Sequence, residues 1–518
     1  MYEKINFVNG NVISLDPKHS EKIDIISTAH GKIHSLNQPI KGARNIDLNG
    51  ATIIPGFVDS HFHLKNMGKR LNMINLKSCK SISSIIEKTK EVINEYADGE
   101  WIFGFGWDQT LWNTSDFPTS NILNDISPKN PIAFTRIDGH CIWVNEYTIK
   151  KSAYDLSNLI APDGGEIINN CIFVDNAMSK INQIIPEENL NQVKSWIKLA
   201  VNEVIKRGIT NVHDAWQDKL IVESIKEIES ESNLPIRCYG MLSSNDKELL
   251  NNFFKNGHYQ SSQYTIRSVK AFIDGALGSR GASLLEPYSD CSNHCGLILI
   301  SKDDFDELAY QCNKYNFQLC THAIGDNGNR LVLDSYIENT KSNLNHRWRV
   351  EHAQMVEYSD INKFINGHII PSMQPSHCTS DMRWLDLRLG SHRVDRISKW
   401  KTFVDANVPI AGGSDCPIED GEPLYEYYAA VTRQDHNGLP KGGWQPQEKL
   451  DRISALKMFT VWAAYSEFAE HKRGMIKIGY DADMTIFSND ITKCAINDIL
   501  KTEAIGTIVG GNTVYLNL

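Results

Sequence analysis

The 518-residue sequence lacks the features that mark several classes of protein. It has no run of about eighteen apolar residues, which excludes a transmembrane helix. A formal net charge of −10 leaves no basic surface for nucleic acid or an anionic membrane. Internal repeats and glycine-rich phosphate-binding motifs are also missing. With 41% hydrophobic and 22% charged residues, the composition is that of a globular protein.

Disulfide and secretion signals are missing as well. The eleven cysteines are odd in number, scattered, and include no CxxC pair. This usage fits reduced thiols better than a disulfide framework. The stretch "MYEKINFVNGNVISLD" has neither the basic start nor the long apolar core of a signal peptide. We therefore expect a cytoplasmic protein.

The two ends of the sequence share one pattern. Residues 1–55 and 470–518 alternate apolar and polar positions between Gly, Asn and Pro, which predicts short strands. We expect the two ends to form one small composite β-sandwich domain.

Between these ends, the sequence alternates apolar runs with amphipathic helical patterns. Eight runs read as strands: residues 56–63, 208–215, 236–242, 266–275, 317–325, 347–354, 368–376 and 408–415. This order predicts an α/β fold in which a (β/α)8 TIM barrel occupies residues 56–469. A long insertion after the first strand, about residues 64–200, would lie over the C-terminal face and cap the active site.

Side chains that bind metals fall at the C-terminal ends of these runs. In "PGFVDSHFH", His61 and His63 are two residues apart, so a strand would point both to one side. His322, His352 and Asp415 end the fifth, sixth and eighth runs. Any one histidine could be an ordinary buried residue with satisfied hydrogen bonds. Because parallel strand ends meet at one face of a barrel, the set together predicts a site for Zn²⁺ or a related ion.

Lys270, within the fourth run, leaves two interpretations open. A charged ammonium group would be repelled by metal ions, so a plain lysine is a poor neighbour for this site. A neutral amine could react with carbon dioxide to form a carbamate that bridges two metals. Alternatively, burial could neutralise Lys270, or it could pair with a carboxylate such as Asp274.

Several long motifs resemble one known family. They are "PGFVDSHFH", "VKAFIDGALGSRGASL", "THAIGDNGNRLVLD", "RVEHAQ", "SMQPSHCTSD", "GGSDCPI" and "GMIKIGYDADMTIF". The chain resembles the amidohydrolase superfamily almost end to end, and within it the branch typified by N-substituted formamide deformylase.

The resemblance implies a role for each member of the metal set. His61 and His63 would bind the more buried ion, and His322 and His352 the more exposed one. Lys270, carboxylated, would bridge the two ions, and Asp415 would contact the first ion and the attacking water. The expected cofactor is two Zn²⁺ per chain, although one ion, or Fe, Mn or Co, would suit the same ligands.

We therefore expect a metal-dependent amidohydrolase that cleaves a C–N bond with a metal-activated water. Asp415 would act as general base and then as general acid. Candidate substrate-binding residues are Trp107, Asp108 and His140 in the insertion and Arg280 after the fourth run. Packing inside the insertion is the alternative role for its tryptophans.

Two other functions are compatible with the same scaffold. A superfamily member can catalyse isomerisation or decarboxylation without net hydrolysis, and a barrel that has lost activity can serve as a binding or regulatory protein. Because all six metal positions are filled, the hydrolase is the preferred interpretation. The expected partner is a small-molecule substrate, with no nucleic acid and no membrane, and a homo-oligomer is possible.

Overall fold

The computed structural model describes residues 3–19, 21–112, 116–232 and 234–518. Backbone contacts divide the chain into two units, one of Met1–Asn66 with Ala200–Leu518 and the other of Met67–Leu199. The first unit contains both the barrel and the β-sandwich.

Eight parallel strands, labelled β1 to β8 in chain order, pair with one another in that same order. They are Phe57–Phe62 (β1), Ile209–Gln217 (β2), Arg237–Ser243 (β3), Tyr264–Phe272 (β4), Gln318–Ala323 (β5), Arg349–His352 (β6), Ile370–Met373 (β7) and Ala411–Gly412 (β8). The ring closes where Phe62 and Cys416 form a parallel bridge. There the Asp415 backbone N–H donates to the His61 carbonyl at 2.7 Å. The predicted (β/α)8 TIM barrel is confirmed.

Helices follow the barrel strands as βα units require. They are Lys219–Ser232, Lys247–Asn256, Lys302–Lys314, Asp326–Thr340, Tyr358–Asn366, Pro375–Asp381, Leu385–Leu389, Trp400–Asp405, Pro423–Thr432, Arg452–Met458 and Val461–Ser466. Polar side chains fix several helix starts. Asp246 accepts the Leu249 N–H, and Ser301 accepts the Asp304 N–H, which satisfies donors that have no partner inside the helix.

The last two barrel strands are shorter than the sequence predicts. β7 covers four of the residues in the predicted run 368–376, and β8 covers two of those in 408–415. Pro409 has no N–H with which to extend the ladder before β8. Beyond β8, Asp415 has a φ of 59°, which turns the chain out of the extended conformation.

The composite β-sandwich, predicted from the two ends of the chain, is also present. One sheet has four strands, in the order Lys32–Leu36, Ile25–Ala29, Ile5–Val8, Arg44–Asp47. The other has five, in the order Asn11–Val12, Thr52–Pro55, Met484–Phe487, Ala504–Val509, Asn512–Leu516. Residues from both sheets, including Ile5, Ile53 and Ile486, share one buried core. At the barrel, the Phe57 N–H donates to the Thr485 hydroxyl at 2.9 Å.

The unit Met67–Leu199 has a six-stranded sheet of its own. Its strands, in sheet order, are Gly165–Ile168, Ile172–Asp175, Cys141–Val144, Ile132–Arg136, Ile102–Trp107 and Ile74–Asn75. This unit also contains four helices: Ile82–Val92, Ser120–Ile126, Glu146–Lys151 and Ser179–Asn182. The unit begins within the helix Leu64–Leu71 and ends within the helix Leu190–Lys206. In the part of the chain that the structure describes, no helix has the length and apolar character needed to cross a membrane.

Candidate metal centre and active site

All six side chains predicted to bind metal line one cavity of about 500 Å³. They are His61, His63, Lys270, His322, His352 and Asp415. Five of them lie on β1, β4, β5 and β6 or directly after β1, and the sixth lies just after β8. The structure therefore brings the predicted side chains together in one cavity, and their role as metal ligands stays a prediction. The fold explains why these side chains converge, because the parallel strands of the barrel all end at the same face.

Asp415 lies where the first and last strands of the barrel meet. Its Oδ1 lies 2.9 Å from His63 Nε2 and 3.5 Å from His61 Nε2. One potential ligand atom from each of these three residues lies within 4.8 Å of the other two. Asp415 is held at a φ of 59°, and His352 at a φ of 73°. Such conformations are costly for residues other than glycine, and they concentrate at functional sites.

The hydrogen bonds of His63 favour a cation beside Asp415. His63 Nδ1 lies 2.9 Å from the Ala215 carbonyl, an acceptor, so Nδ1 carries the proton. In the neutral imidazole, Nε2 then presents a lone pair to the negatively charged Asp415. That pairing needs either a second proton on His63 or a metal ion near both atoms. Burial opposes the charged form, but Asp415 raises the pKa of His63 when no metal is bound.

A buried carboxylate orients His61 so that its Nε2 also faces Asp415. His61 Nδ1 lies 2.5 Å from Glu351 Oε2, so Nδ1–H donates and Nε2 is left facing Asp415. A carboxylate behind a histidine is a common support in metal sites, because it fixes the tautomer and makes the other nitrogen a better ligand. Glu351 is fully buried, and Arg349 and His61 hold its pKa far below the usual range despite that burial.

The imidazole rings of His322 and His352 lie next to each other in the cavity. Their ring centroids are 4.5 Å apart. Burial lowers the pKa of His322 to about 3, with Lys270 adding to the effect, and burial also lowers the pKa of His352. His352 Nδ1 lies 2.8 Å from Gln374 Oε1, an acceptor, which leaves Nε2 free to bind. Deprotonated imidazole is the form that binds metal, so both residues are prepared for that role.

Lys270 is fully buried within this histidine cluster. No described group forms a hydrogen bond with its Nζ, which lies 3.7 Å from the centroid of the Phe272 ring. Burial lowers the pKa of Lys270 to about 8. Such an amine is substantially neutral near pH 8 and able to react with carbon dioxide. The residues present therefore fit a metal centre with a carboxylated lysine, and Asp274 is not the partner of Lys270.

Asp274 instead braces the loops around the cavity. Its carboxylate accepts the backbone N–H groups of Ser283, Ile324 and Gly325 at 2.8–3.0 Å. The segment after β4 is thereby fixed to the end of β5. Burial raises the pKa of Asp274 to about 7, although these three donors oppose the rise.

Arg349 balances the charge of Glu351 inside the barrel. Its Nε lies 2.7 Å from Glu351 Oε1, and its Nη2 donates to both the Ser60 carbonyl and Ser372 Oγ. Arg349 also donates to His213 Nδ1 at 2.9 Å. His213 is thus engaged with Arg349 behind the metal set, and it does not line the cavity.

His377 is the most evident site residue that the sequence prediction missed. It lies on the helix Pro375–Asp381 after β7, lines the cavity, and places Nε2 3.7 Å from Asp415 Oδ2. That buried Nε2 has no hydrogen-bond partner among the described residues. His377, His352 and Asp415 form a second group able to hold an ion. The available signal was the motif "SMQPSHCTSD", to which no role was assigned.

The predicted substrate-binding residues of the insertion are engaged within their own unit. Trp107 is fully buried, donates its indole N–H to the Phe134 carbonyl at 2.7 Å and packs against Trp143. This contact pattern is the packing role that was the alternative for the tryptophans. Asp108 pairs with Arg136 at 3.0 Å. His140, 68% exposed, pairs with Asp175 at 2.8 Å. A substrate role for Trp107, Asp108 and His140 stays a prediction.

Arg280 is directed towards another side chain. Its guanidinium donates twice to Asp290, at 3.0 and 2.9 Å. The cavity is lined by the preceding residues Ala276, Leu277 and Gly278, and Arg280 is absent from its described lining. Substrate binding by Arg280 therefore also stays a prediction.

Comparison with known proteins agrees with this geometry. A model of the amidohydrolase family matches residues 44–515. Over 498 residues the chain is 28% identical to Protein LONG AFTER FAR-RED 3 of Arabidopsis thaliana, which covers 92% of this chain and 84% of that protein. It is also 21% identical over 538 residues to N-substituted formamide deformylase of Arthrobacter pascens. That match covers 98% of this chain and 97% of the deformylase.

Among solved structures, an uncharacterized metal-dependent hydrolase from Pyrococcus furiosus superposes with a TM-score of 0.80. Its sequence is 26% identical, and the match covers 95% of this chain and 100% of that one. Together, these matches confirm the resemblance that the motifs indicated.

Proposed function

Because the chain belongs to the amidohydrolase family, we propose that it is a metal-dependent hydrolase that cleaves a C–N bond of a small-molecule amide. N-formyl amines, N-acyl amines and cyclic amides are the candidate substrates. The similarity to a formamide deformylase supports the N-formyl amines, and the similarity to a metal-dependent hydrolase supports hydrolysis.

The metal ligands in this proposal are the six side chains of the cavity. His61, His63 and Asp415 would hold one ion, and His322 and His352 a second. Lys270, as its carbamate, would contribute oxygen to both. Zn²⁺ suits imidazole and carboxylate ligands, and iron, manganese or cobalt would suit the same set.

One observation carries the proposal, namely the approach of His63 Nε2 to Asp415 Oδ1 at 2.9 Å. The Ala215 carbonyl on the other side of the ring keeps a proton on Nδ1, so Nε2 needs either a second proton or a metal ion to face the carboxylate, and we assign the metal ion. A barrel that only bound a partner would have no reason to keep this arrangement, together with a buried and unpaired Lys270.

The bound ions would lower the pKa of a water towards about 7 and polarise the substrate carbonyl. Asp415 performs the proton transfers. Burial disfavours its ionised form, but the neighbouring His61 and His63 hold its pKa well below the usual value. The carboxylate therefore accepts a proton from water as the water oxygen attacks the carbonyl carbon. It then gives that proton to the nitrogen as the C–N bond breaks, which releases an amine and a carboxylic acid.

Metal analysis combined with a substrate screen tests the proposal. Plasma mass spectrometry of the purified protein should find about two divalent ions per chain, and the metal-loaded protein should hydrolyse members of an N-formyl and N-acyl amine panel. Isomerisation or decarboxylation without amide hydrolysis would point to a non-hydrolytic family member. A protein that takes up no metal even after reconstitution would overturn the proposal in favour of a binding role.

A further inference from the structure

The cavity has an apolar wall beside the metal set. Phe272, Leu277, Ile324, Trp384 and Ile418 line it. Trp384 is held near the loop after β4, because the Arg388 guanidinium donates to the Gly278 carbonyl at 3.1 Å. A substrate would therefore meet a firm surface that includes an aromatic face.

Two carboxylates lie in the same cavity, and neither is one of the six predicted metal ligands. Asp381 ends the helix that carries His377, and Glu419 follows four residues after Asp415. Their hydrogen-bond donors are neutral: Gln354 Nε2 donates to Asp381 at 2.6 Å, and Ser380 Oγ donates to Glu419 at 2.6 Å. These donors orient the carboxylates without cancelling their charge.

Lysine and arginine side chains are scarce around these two carboxylates. Lys270 is the only lysine or arginine among the described residues that line the cavity, and it lies among the predicted metal ligands. In the described part of the chain, no lysine or arginine forms an ion pair with Asp381 or Glu419. Burial raises the pKa of Asp381 and Glu419 adds to the rise, whereas His377 and the hydrogen bond from Gln354 oppose it. A positive group from a ligand would relieve that cost.

The position of Trp384 supports the same class of ligand. Its backbone N–H donates to the Asp381 carbonyl at 3.0 Å, so the indole and the Asp381 carboxylate belong to one turn of the chain. An indole face and a carboxylate together suit an ammonium group, and tryptophan is the aromatic residue that attracts cations best. A substrate carboxylate would be repelled by Asp381 and Glu419, and the described lining of the cavity offers no arginine to bind it.

We infer that the substrate of this site is an amide with an apolar segment and a positively charged group, an ammonium or quaternary ammonium, received by Asp381, Glu419 and Trp384. The inference rests on the proposed function for its reaction and adds the chemical class of the substrate. N-acyl amino acids, which present a carboxylate, are disfavoured by the same charges.

A matched series of amides tests this preference in the metal-loaded protein. The series comprises a formamide ending in a trimethylammonium group, its uncharged tert-butyl isostere, and a carboxylate of similar size, with the three corresponding acetamides. The cationic member should have the highest kcat/KM, by about tenfold over the tert-butyl isostere. The carboxylate should have the lowest.

Variants assign the preference to the two carboxylates. In the Asp381→Asn/Glu419→Gln double variant, the ratio of kcat/KM for the cationic and tert-butyl substrates should fall to about one. Glu286→Gln removes a carboxylate that is 56% exposed and outside the cavity lining, and it should keep the wild-type ratio. An unchanged ratio in the double variant would overturn the inference.

Direct binding separates this inference from the proposed function. Calorimetric titrations with choline and with its uncharged tert-butyl alcohol analogue require no turnover. If no amide is hydrolysed but choline binds more tightly, the proposed function fails and the ligand class stands. If amides are hydrolysed with a preference for the neutral or anionic members, the function stands and this inference fails. Equal binding of the two probes without hydrolysis would overturn both.

Discussion

Glu351 and His61 form a 2.5 Å hydrogen bond inside the barrel, where neither side chain is more than 1% exposed. The bond joins β6 to β1 across the interior and sets which nitrogen of His61 faces Asp415. A buried carboxylate in this position is expensive unless it is paired, and Arg349 supplies the opposite charge. The barrel therefore uses a buried charged pair to prepare a ligand at its C-terminal face.

Replacing Glu351 with Gln should weaken metal binding. The amide is a poorer acceptor for the His61 Nδ1–H, so Zn²⁺ affinity should fall by about 10- to 100-fold. Competition with a chromogenic chelator measures this change. Glu448→Gln controls for the general cost of losing a buried ion pair. It removes a buried carboxylate that pairs with Lys399 at 2.7 Å and is outside the described lining of the cavity. Equal Zn²⁺ affinity in Glu351→Gln and wild type would contradict the orienting role.

Replacing Asp415 with Asn should remove the proton transfer that the mechanism requires. We expect the protein to remain folded while kcat for an amide substrate falls by about 10²- to 10⁴-fold under saturating metal. Circular dichroism and metal content should be measured on the same sample, because Asp415 is also a predicted ligand. Near-wild-type turnover in this variant would show that another group carries the proton.

Lys270→Ala tests the carbamate bridge. Loss of the bridging oxygen atoms should lower the metal content from about two ions per chain to one or fewer. A small carboxylic acid such as acetate, added during reconstitution, could occupy the vacated volume and should restore part of the metal content and activity. Full retention of two ions in Lys270→Ala would rule out the bridge.

The sequence predicted the barrel and the convergence of the six candidate ligands because both depend on rules that act along the chain. Strand ends of a parallel barrel must converge, so His322 at the end of β5 and His352 at the end of β6 were placed together without coordinates. Glu351 was not singled out, because a charged residue next to His352 in a buried strand reveals nothing about its partner. That partner, His61, is 290 residues away in the chain.

His377 escaped prediction for a related reason. It lies on a short helix one turn beyond β7, and whether such a residue faces the cavity depends on how the loop leaves the strand. Trp107 illustrates two alternatives that the sequence leaves open. An aromatic residue in an active-site insertion suggests a pocket wall, yet its indole N–H is satisfied internally and its ring lies in a hydrophobic core.

His377→Gln should impair catalysis more than metal binding. The free Nε2 of His377 faces the cavity near Asp415, where it can donate to the carbonyl oxygen of an amide as negative charge develops there. Loss of one such donor should lower kcat by about 10²-fold, while KM changes little. Zn²⁺ content should stay at the wild-type value. If metal content falls in parallel with activity, His377 is a ligand and this role is wrong.

His346 provides a pH prediction that is independent of the metal site. His346 Nε2–H donates to the Gly367 carbonyl at 2.8 Å, and Nδ1 accepts the Trp348 N–H at 2.8 Å. Protonation would destroy the second bond, and burial lowers the pKa of His346 to about 4. The unfolded chain, with an ordinary histidine pKa near 6.5, therefore takes up this proton at a higher pH than the folded protein does.

The contribution of His346 to stability should thus be complete above about pH 6.5 and be lost as the pH falls towards about 4, by at most about 3 kcal/mol. His346→Gln has no group that titrates in this range. We therefore expect the Tm of wild type to fall relative to that of His346→Gln as the pH is lowered from 7 to about 4.5. Thermal unfolding of both proteins across this range measures the difference. A difference that is constant over this range would show that His346 has an ordinary pKa in the folded protein.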